Sequence, residues 1–251
     1  MQGAKGCTVG VIGIPGGFLF FKNRDLSRAY LVNRLMIVES TPHYHALRGV
    51  NLKTGEPEGV SVGVNRHGIC VANTHVASTR GVTYDVLCEV ILRQARRRGD
   101  VPDLVAEFMS RGRVQGGRIL VASRKWAYLI EVFKTGYGIE PVKPGFVMTN
   151  TFSLLAHPGK QGSVRARSSA LRLQAAQAAV PGISDIGGLK SMLRSHIPER
   201  GEFSICNHRR DGGGTESSHI IQIQGKYTAW SWLSGYPCEN DYRTIQLFNH
   251  P

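Results

Sequence analysis

The sequence predicts an α+β protein in which largely antiparallel β-sheets pack against layers of helices. Short runs rich in β-branched and aromatic residues, bounded by Gly or Pro, fill the first third of the chain. The apolar spacing then changes to the helical period, and pairs of helices alternate with groups of strands. Groups of strands separated by helix pairs favour antiparallel sheets over the strict βα alternation of a parallel sheet. A four-layer sandwich, with two sheets between two helical layers, fits this order.

The first strands are short, and turn residues join two pairs of them into predicted hairpins. The turn sequences are IPGGF at 14–18 and NRHG at 65–68, and they contain the Gly, Pro and Asn that tight turns favour. The predicted strands in this part of the chain are 8–14, 18–22, 36–39, 61–65 and 68–73.

Two helices follow these strands. From Tyr84 onward the apolar residues recur at helical spacing, which predicts an amphipathic helix that ends at Arg98 and Gly99. Pro102, with Asp103 in the same first turn, marks the start of a second helix. The remaining predicted elements are strands at 118–123, 127–133 and 145–150, helices at about 166–179 and 185–196, and strands at 203–208, 218–224 and 227–233.

The length and composition predict one soluble globular domain. The chain has 251 residues, of which 41% are hydrophobic and 20% charged, and this length allows a sizeable core. Its apolar runs are all shorter than the roughly 18 to 20 residues that a membrane-spanning helix needs. We therefore expect no membrane association.

The net charge of the chain is strongly positive. Lys and Arg number 31 against 18 Asp and Glu, which gives a net charge of +13. Such a charge attracts anions, including an anionic small-molecule substrate. Its densest clusters, at 94–99 and 208–210, lack the interleaved aromatic residues that single-strand nucleic-acid binders use for stacking. Nucleic-acid binding is therefore disfavoured as the main function.

The cysteine pattern indicates a reduced, cytoplasmic protein. The five cysteines are odd in number and widely spaced, and none forms a C-x-x-C pair, so neither a disulfide framework nor a zinc site is predicted. Cys206 and His208 offer an alternative nucleophile and base, as in a papain-like protease, but the sequence shows no activating context for them.

Cys7 admits three interpretations: part of a secretion signal, a buried core thiol or a nucleophile. Pro15, Gly16 and Gly17 interrupt the apolar stretch behind it, and no A-x-A cleavage site follows, which argues against a signal peptide. If the Gly6–Cys7 bond were cut, Cys7 would gain an α-amino group whose reference pKa is about 7.7–8.0. That amine can take the proton of the cysteine's own thiol, so that nucleophile and base lie on one residue.

Several short motifs accompany Cys7 along the chain. They are GCT at 6–8, NRD at 23–25, GVNxxG at 63–68, LIEV at 129–132, MTN at 148–150, SVRARSS at 163–169, SICNH at 204–208 with the later Thr215, and SGYPC at 234–238. Their order resembles that of the cysteine-type N-terminal nucleophile (Ntn) hydrolases. The branch containing acyl-coenzyme A:6-aminopenicillanic acid acyltransferase, the isopenicillin N acyltransferase, is most similar, with choloylglycine hydrolases and acid ceramidase-like amidases more distant. The resemblance covers essentially the whole chain and implies the four-layer αββα Ntn fold.

The resemblance implies that Cys7 is both the self-processing residue and the nucleophile. Cleavage at Gly6–Cys7 would remove residues 1–6 as a short propeptide and leave a single domain at 7–251. Asp25 matches the family carboxylate that orients the α-amino group, and an ionised carboxylate can hold the ammonium form after proton transfer. The alternative for Asp25 is a turn residue that satisfies its own backbone.

Three further positions match family residues around the nucleophile. Asn150 matches the oxyanion asparagine, whose side-chain amide donates to the tetrahedral intermediate. Asn73 aligns with a second backbone or side-chain donor found in the bile-salt branch. Arg165 and Arg167 both match an arginine in a serine-arginine motif at the head of a helix, and Arg167 is preferred. A turn residue at each strand end and a solvated basic helix face are the alternatives.

One position departs from the family pattern. Many relatives have R-N-x-D where this chain reads Lys22, Asn23, Arg24 and Asp25. Either Lys22 replaces the missing arginine or Arg24 reaches into the site, and we expect strand alternation to let only one of the two face it. A cation beside the nucleophile would favour the thiolate form.

The resulting prediction is a self-processing amidohydrolase or acyltransferase that acts on an N-acyl amide through an acyl-thioester on Cys7. No metal and no organic cofactor is expected. The expected partner is a small-molecule N-acyl amide or acyl donor, with anionic groups favoured by the charge, and homo-oligomer formation is left open. The alternative is a basic, non-catalytic binding protein on the same fold.

Overall fold

A computed structural model describes residues 6–31, 34–156, 162–210 and 212–249. These residues form two antiparallel sheets. The six-stranded sheet has the order β10-β1-β2-β11-β12-β13, and the seven-stranded sheet runs from β3 to β9 in chain order. The strands of the first sheet are β1 Gly6–Ile14, β2 Gly17–Leu26, β10 Phe146–Met148, β11 Gly214–Gln224, β12 Tyr227–Ser234 and β13 Arg243–Asn249. Those of the second are β3 Arg34–Ser40, β4 Tyr44–Asn51, β5 Pro57–Asn65, β6 Cys70–Ala77, β7 Val114–Ser123, β8 Trp126–Lys134 and β9 Gly136–Val142.

Helices lie between the groups of strands. None of those in the described ranges is both long and apolar enough to cross a membrane. The α-helices are α1 Arg28–Leu31, α2 Tyr84–Gln94, α3 Asp100–Ser110, α4 Val164–Ala179 and α5 Ile186–Leu193, and a short 3₁₀ helix Val180–Gly182 follows α4.

The two sheets pack face to face, and helices cover their outer faces. Helices α2 and α3 bury apolar side chains against the seven-stranded sheet, and α4 and α5 do so against the six-stranded sheet. The apolar cluster between the sheets includes Cys7, Phe20, Val62, Leu120 and Trp230. Burial of these three clusters is the main stabilising term of the fold. The four-layer αββα arrangement, which fits the order of elements and is implied by the family resemblance, is confirmed.

The predicted hairpins and helix pairs are also confirmed, but the first helix ends at Gln94 and not at Arg98 and Gly99. The amides of Arg96 and Arg97 donate to Asp100 Oδ2 instead of continuing the helix. Strands β1 and β2 pair from Gly6↔Asp25 to Ile14↔Gly17, around the IPGGF turn. At the second hairpin, Asn65 ties the turn to α2. Its Nδ2 donates to the carbonyls of Leu92 and Ala95, and its Oδ1 accepts from the Ile69 amide. This buried network explains the asparagine of the GVNxxG motif by structure alone.

The predicted strand at 203–208 is wrong. This segment forms turns, and its one strand-like pairing is an isolated bridge between His208 and Gly214. Cys206 donates its amide to Ser195 O at 3.0 Å instead of entering a ladder. An apolar alternation predicts a strand only where a neighbouring edge is free to pair with it, and here none is offered.

Strands β4, β9 and β13 were not predicted, because their sequences carry many polar or small residues. In β4, Arg48 is buried, yet it is paired with Glu39 at 2.9 Å and Glu89 at 2.7 Å. A charged side chain can be buried within a sheet when it forms ion pairs with its neighbours. The strand propensity of a single residue does not show whether such partners are present.

Candidate active site

The register of the first hairpin decides which side chains surround Cys7. Cys7 lies opposite Arg24, and Gly6 lies opposite Asp25. Directly opposed residues share a face of the sheet, and successive residues alternate between faces. The Cys7 side chain therefore faces the other sheet, together with Arg24 and Lys22, whereas Asp25 faces the helical layer.

The expectation that only one of Lys22 and Arg24 faces the site is wrong. Residues two apart on a strand point to the same face, and both side chains line the cavity beside Cys7. This cavity has a volume of about 30 Å³ and is also lined by Asn73 and His75. It holds no more than a few water molecules.

The backbone of Cys7 is held on both sides of its α-carbon. Its amide donates to Asn150 Oδ1 at 2.9 Å, and its carbonyl accepts from Arg172 Nη1 at 2.7 Å. Arg172 also donates to Thr8 Oγ1 at 3.0 Å and, through Nη2, to Asn150 Oδ1 at 2.8 Å. Both Arg172 and Asn150 are buried. These bonds fix the direction in which the Cys7 side chain points.

Asp25 is a buried carboxylic acid close to the bond between Gly6 and Cys7. Its Oδ1 accepts from Thr215 Oγ1 at 2.9 Å, and its Oδ2 lies 3.7 Å from Arg172 Nη1 without a hydrogen-bond partner among the described residues. Burial raises the pKa of Asp25 from 3.8 to about 6, because desolvation outweighs the opposing effects of Arg172 and Thr215. A carboxyl group with this pKa can exchange a proton near neutral pH.

Lys22 is held by four oxygen atoms from two residues. Its Nζ donates to Ser61 O and Oγ at 3.0 and 2.8 Å and to Asn73 O and Oδ1 at 2.8 and 3.0 Å. Burial lowers the pKa of Lys22, against the attraction of Cys7 and other groups. Arg24, by contrast, forms an ion pair with Glu216 at 2.9 Å.

The two predicted oxyanion residues lie at the site in different settings. Asn150 turns its oxygen toward the Cys7 amide, and its Nδ2 donates to His75 O at 2.8 Å. The Nδ2 of Asn73 donates to Val60 O at 2.8 Å and to Asp85 Oδ1 at 2.7 Å. Both amide protons of Asn73 are thus engaged, so this side chain positions Lys22 and offers no donor to Cys7 as it stands.

The structure places Arg172 at the site in the position expected for Arg167, so that preference is wrong. Arg167 is exposed and stacks over the ring of Phe203 at 5.2 Å. Arg165 donates to His75 O at 2.8 Å, at the edge of the site. The helical period could have found Arg172: Arg165 and Arg172 are seven residues apart on one face of α4, whereas Arg167 points elsewhere.

His75 is a further side chain that the sequence analysis missed. It lines the Cys7 cavity, with Nδ1 3.2 Å from Tyr84 Oη and Nε2 3.1 Å from Ser78 Oγ. Its position two residues after Asn73 on β6 puts both side chains on one face of the strand. That alternation was the signal that could have identified it.

A larger groove adjoins the opposite side of the Gly6–Cys7 bond. It has a volume of about 370 Å³ and is lined by Gly6 and Asp25, by three arginines and by one glutamate. The arginines are Arg165, Arg172 and Arg209, and the glutamate is Glu202. The groove therefore presents a positive surface next to Cys7.

The structure also bears on the alternative nucleophile and base, Cys206 and His208. Cys206 and His208 do approach each other, with Sγ and Nε2 3.5 Å apart. Cys206 is fully buried, which excludes substrate access in this structure and disfavours the papain-like alternative. The same histidine also contacts His196 and Cys238.

Comparison with known proteins finds similarity in solved structures. No protein-family model matches the chain, and no curated protein sequence matches it significantly. A variant of the conjugated bile acid hydrolase from Clostridium perfringens matches with a TM-score of 0.57 over 97% of this chain and 98% of that chain, at 11% identity. For penicillin V acylase from Agrobacterium tumefaciens the TM-score is 0.54 over 91% of this chain and 83% of that chain, at 10% identity. For the Caenorhabditis elegans ortholog of N-acylethanolamine-hydrolyzing acid amidase the TM-score is 0.53 over 86% of this chain and 92% of that chain, at 13% identity.

These identities show a shared fold and no more. The chain shares the αββα fold of the three structures over 86% to 97% of its length. The fold implied by the sequence motifs is thereby confirmed, while the activity has to be argued from the site.

Proposed function

We propose that this chain is a self-processing enzyme of the N-terminal-cysteine type, which opens N-acyl amides through an acyl-thioester on Cys7. One observation carries the proposal. The amide and the carbonyl of Cys7 are held by Asn150 and Arg172, while its thiol faces a cavity lined by Lys22 and Arg24. A buried core thiol needs no such fixation, whereas a nucleophile gains from a fixed direction of attack.

In the first step the chain cuts itself at Gly6–Cys7. The thiol of Cys7 adds to the Gly6 carbonyl carbon, the C–N bond breaks, and the thiol proton passes to the departing nitrogen. Water then hydrolyses the thioester, and the segment before Cys7 leaves as a carboxylic acid. The proximity of Asp25 to Gly6 and its pKa of about 6 support a role for this carboxyl in moving the proton.

The processed enzyme would use its new α-amino group as the base. This amine takes the proton from the Cys7 thiol, the thiolate attacks the substrate carbonyl, and the proton passes to the leaving amine. Asn150 Oδ1, which now accepts from the Cys7 nitrogen at 2.9 Å, would hold the amine in place, and Asp25 would balance the charge of its ammonium form.

Oxyanion stabilisation by Asn150 and Asn73 is part of the same proposal. One amide proton of Asn150 goes to His75 O, so its Nδ2 has a second proton to offer. The Nδ2 of Asn73 would first have to lose its hydrogen bond to Val60 O or Asp85 Oδ1 before it could donate to an oxyanion. Asn150 is therefore the stronger candidate for the oxyanion donor.

The groove beside Gly6 suggests where the substrate binds and what charge it carries. The segment preceding Cys7 is the acyl part of the bond that self-cleavage breaks, so a substrate acyl group would enter from the same side. The groove is lined by three arginines and only two carboxyl groups, those of Asp25 and Glu202, and this excess of positive charge favours an anionic substrate group. The solved structures of similar fold include a bile acid hydrolase, a penicillin acylase and an acid amidase, which supports an amide substrate. Water gives hydrolysis and an amine gives acyl transfer on the same thioester.

Intact mass spectrometry of the purified full chain tests the proposal. The wild-type protein should lose the residues before Cys7, and Cys7→Ala should retain them. Cys70→Ala is the matched control, because Cys70 is a fully buried thiol in the same apolar cluster and should process normally. The processed protein should then release acid from carboxylate-bearing N-acyl amides.

Two results would overturn this assignment. Wild-type protein that stays full-length, and that shows no labelling at Cys7 by an activated ester, would favour the basic binding protein. Activity that survives Cys7→Ala and disappears in Cys206→Ala would favour the papain-like alternative. Each outcome separates the classes without knowledge of the natural substrate.

A further inference from the structure

Four side chains from three segments of the chain converge on one point away from Cys7. His196 follows α5, Cys206 and His208 lie in the segment before β11, and Cys238 lies between β12 and β13. Their ligand-type atoms all lie within 4.8 Å of one another. The Nε2 of His208 is 3.2 Å from His196 Nε2, 3.5 Å from Cys206 Sγ and 3.3 Å from Cys238 Sγ.

Hydrogen bonding does not account for this convergence. A single imidazole nitrogen either donates one hydrogen bond or accepts one. The Nε2 of His208 nevertheless lies close to three polar atoms at once, one nitrogen and two sulfurs. A positive ion at the centre would use a lone pair from every one of the four.

We propose that His196, Cys206, His208 and Cys238 bind one zinc ion in a tetrahedral Cys₂His₂ site. Zinc–sulfur bonds of about 2.3 Å and zinc–nitrogen bonds of about 2.0–2.1 Å imply N···N and N···S edges of about 3.3 and 3.5 Å in a tetrahedron. The separations of 3.2, 3.5 and 3.3 Å agree with these edges to a few tenths of an ångström. Two sulfur and two nitrogen ligands around one centre also suit zinc among the common metals.

The chemistry of the site is that of a structural zinc. Four protein ligands complete a tetrahedron, so no position remains for water or substrate. On binding, each thiol gives up its proton to solvent as its Zn–S bond forms, and the two thiolates balance the charge of the ion. Arg200 lies 3.5 Å from His208 Nδ1, and its own charge is paired with Glu239.

The backbone already holds the ligands in place. The Cys206 amide donates to Ser195 O at 3.0 Å, and the His208 amide donates to Gly201 O at 3.0 Å. The ring of His208 stacks on that of Tyr236 with centroids 3.9 Å apart. Metal binding would therefore need little rearrangement.

The site is connected to the candidate active site through Asn207 and Thr215. Asn207, between two of the ligands, donates its amide to Thr215 Oγ1 at 2.9 Å, and Thr215 donates to Asp25 Oδ1 at 2.9 Å. Gly214 allows the close approach, because its φ is +135° and a Cβ would lie 2.2 Å from Asn207 O. Zinc would thus fix the segment that supports Asp25.

Metal analysis of the full chain, purified without chelators, tests the proposal. After desalting, elemental analysis should find about one zinc ion per chain. Cys238→Ser and His196→Gln should each lose most of it, and both sites are only partly buried, so the fold should tolerate the changes. Cys70→Ala, which removes a cysteine outside the cluster, should keep the full zinc content.

A second measurement uses the unaltered chain, in case the variants fold poorly. Zinc is removed with a chelator under reducing conditions and replaced by Co²⁺, which should give the intense visible absorption of a tetrahedral, thiolate-bound cobalt ion. Zinc that stays at the wild-type level in both variants would overturn the proposal. Failure of the reduced wild-type chain to bind Zn²⁺ or Co²⁺ would do so too, as would a Cys206–Cys238 disulfide in protein isolated without metal.

Discussion

Asp25 lies directly across the β1–β2 ladder from Gly6, and its Oδ2 is 2.9 Å from the position that a Cβ on Gly6 would occupy. The residue before Cys7 therefore has to lack a side chain if the carboxyl group is to remain where it is. The same closeness puts a proton-exchanging group next to the bond proposed to break. A glycine at residue 6 therefore serves both the packing of Asp25 and the proposed cleavage.

Gly6→Ala is expected to slow self-processing by about a hundredfold or more, because the added methyl group displaces Asp25 and crowds Arg172. The fraction of cleaved chain over time, followed by intact mass, measures this. Gly99→Ala is the control, since a Cβ there meets nothing within 4 Å. Cleavage of Gly6→Ala at the wild-type rate would contradict the proposed geometry.

The stability of the unprocessed chain is expected to fall as pH rises from about 4 to about 6. The pKa of Asp25 is raised from 3.8 to about 6 in the folded protein, so its stabilising contribution is complete below pH 3.8 and is lost as pH rises through 6. The loss is about 3 kcal/mol.

Denaturant unfolding across this pH range, in a Cys7→Ala background, measures the effect of Asp25. Asp25→Asn should remove that part of the pH dependence. Asp241→Asn, which changes a fully exposed carboxylate, should leave it unaltered. A parallel pH dependence in the Asp25→Asn and parent chains would show that Asp25 does not titrate there.

Arg172→Met is expected to reduce the free energy of unfolding by about 3–5 kcal/mol, because it leaves Asp25 without its nearest cation in a buried setting. It should also abolish or slow processing, since the Cys7 carbonyl loses its donor. Arg167→Ala should change stability by less than about 0.5 kcal/mol, as an exposed substitution. Equal effects of the two changes on stability and cleavage would argue against the assigned roles.

Lys22→Met is expected to lower kcat/KM by about a hundredfold, and Arg24→Met by much less. Lys22 is bound by neutral oxygens of Ser61 and Asn73, whereas the charge of Arg24 is already matched by Glu216. Steady-state kinetics of the two processed variants on one amide substrate compare them directly. A larger loss in Arg24→Met would identify Arg24 as the effective cation.

The sequence predicted the hairpins and helices well because each depends on local chemistry. Turn glycines and the change from strand to helix period are visible in any short window. Strand β4 and the segment 203–208 were missed or misassigned because their structure depends on partners distant in the chain. Arg48 can lie within a sheet because it forms ion pairs with Glu39 and Glu89. The Cys206 amide donates to Ser195 O and does not join a β-ladder.

The candidate site divides in the same way. The motif order identified Cys7, Asp25 and Asn150, and the structure brings the three together. The motifs offered Arg165 and Arg167 and did not include Arg172, because which arginine contacts Cys7 depends on the face of α4 that meets the six-stranded sheet.

By itself the sequence determined the layered fold and the cysteine that the proposed function depends on. Both follow from local periodicity and from short motifs whose residues are close in the chain. Only the tertiary structure decided that Lys22 and Arg24 share one cavity, and that His196, Cys206, His208 and Cys238 meet. The physical reason is that these groupings are made by strand register and loop closure, which join residues far apart in sequence.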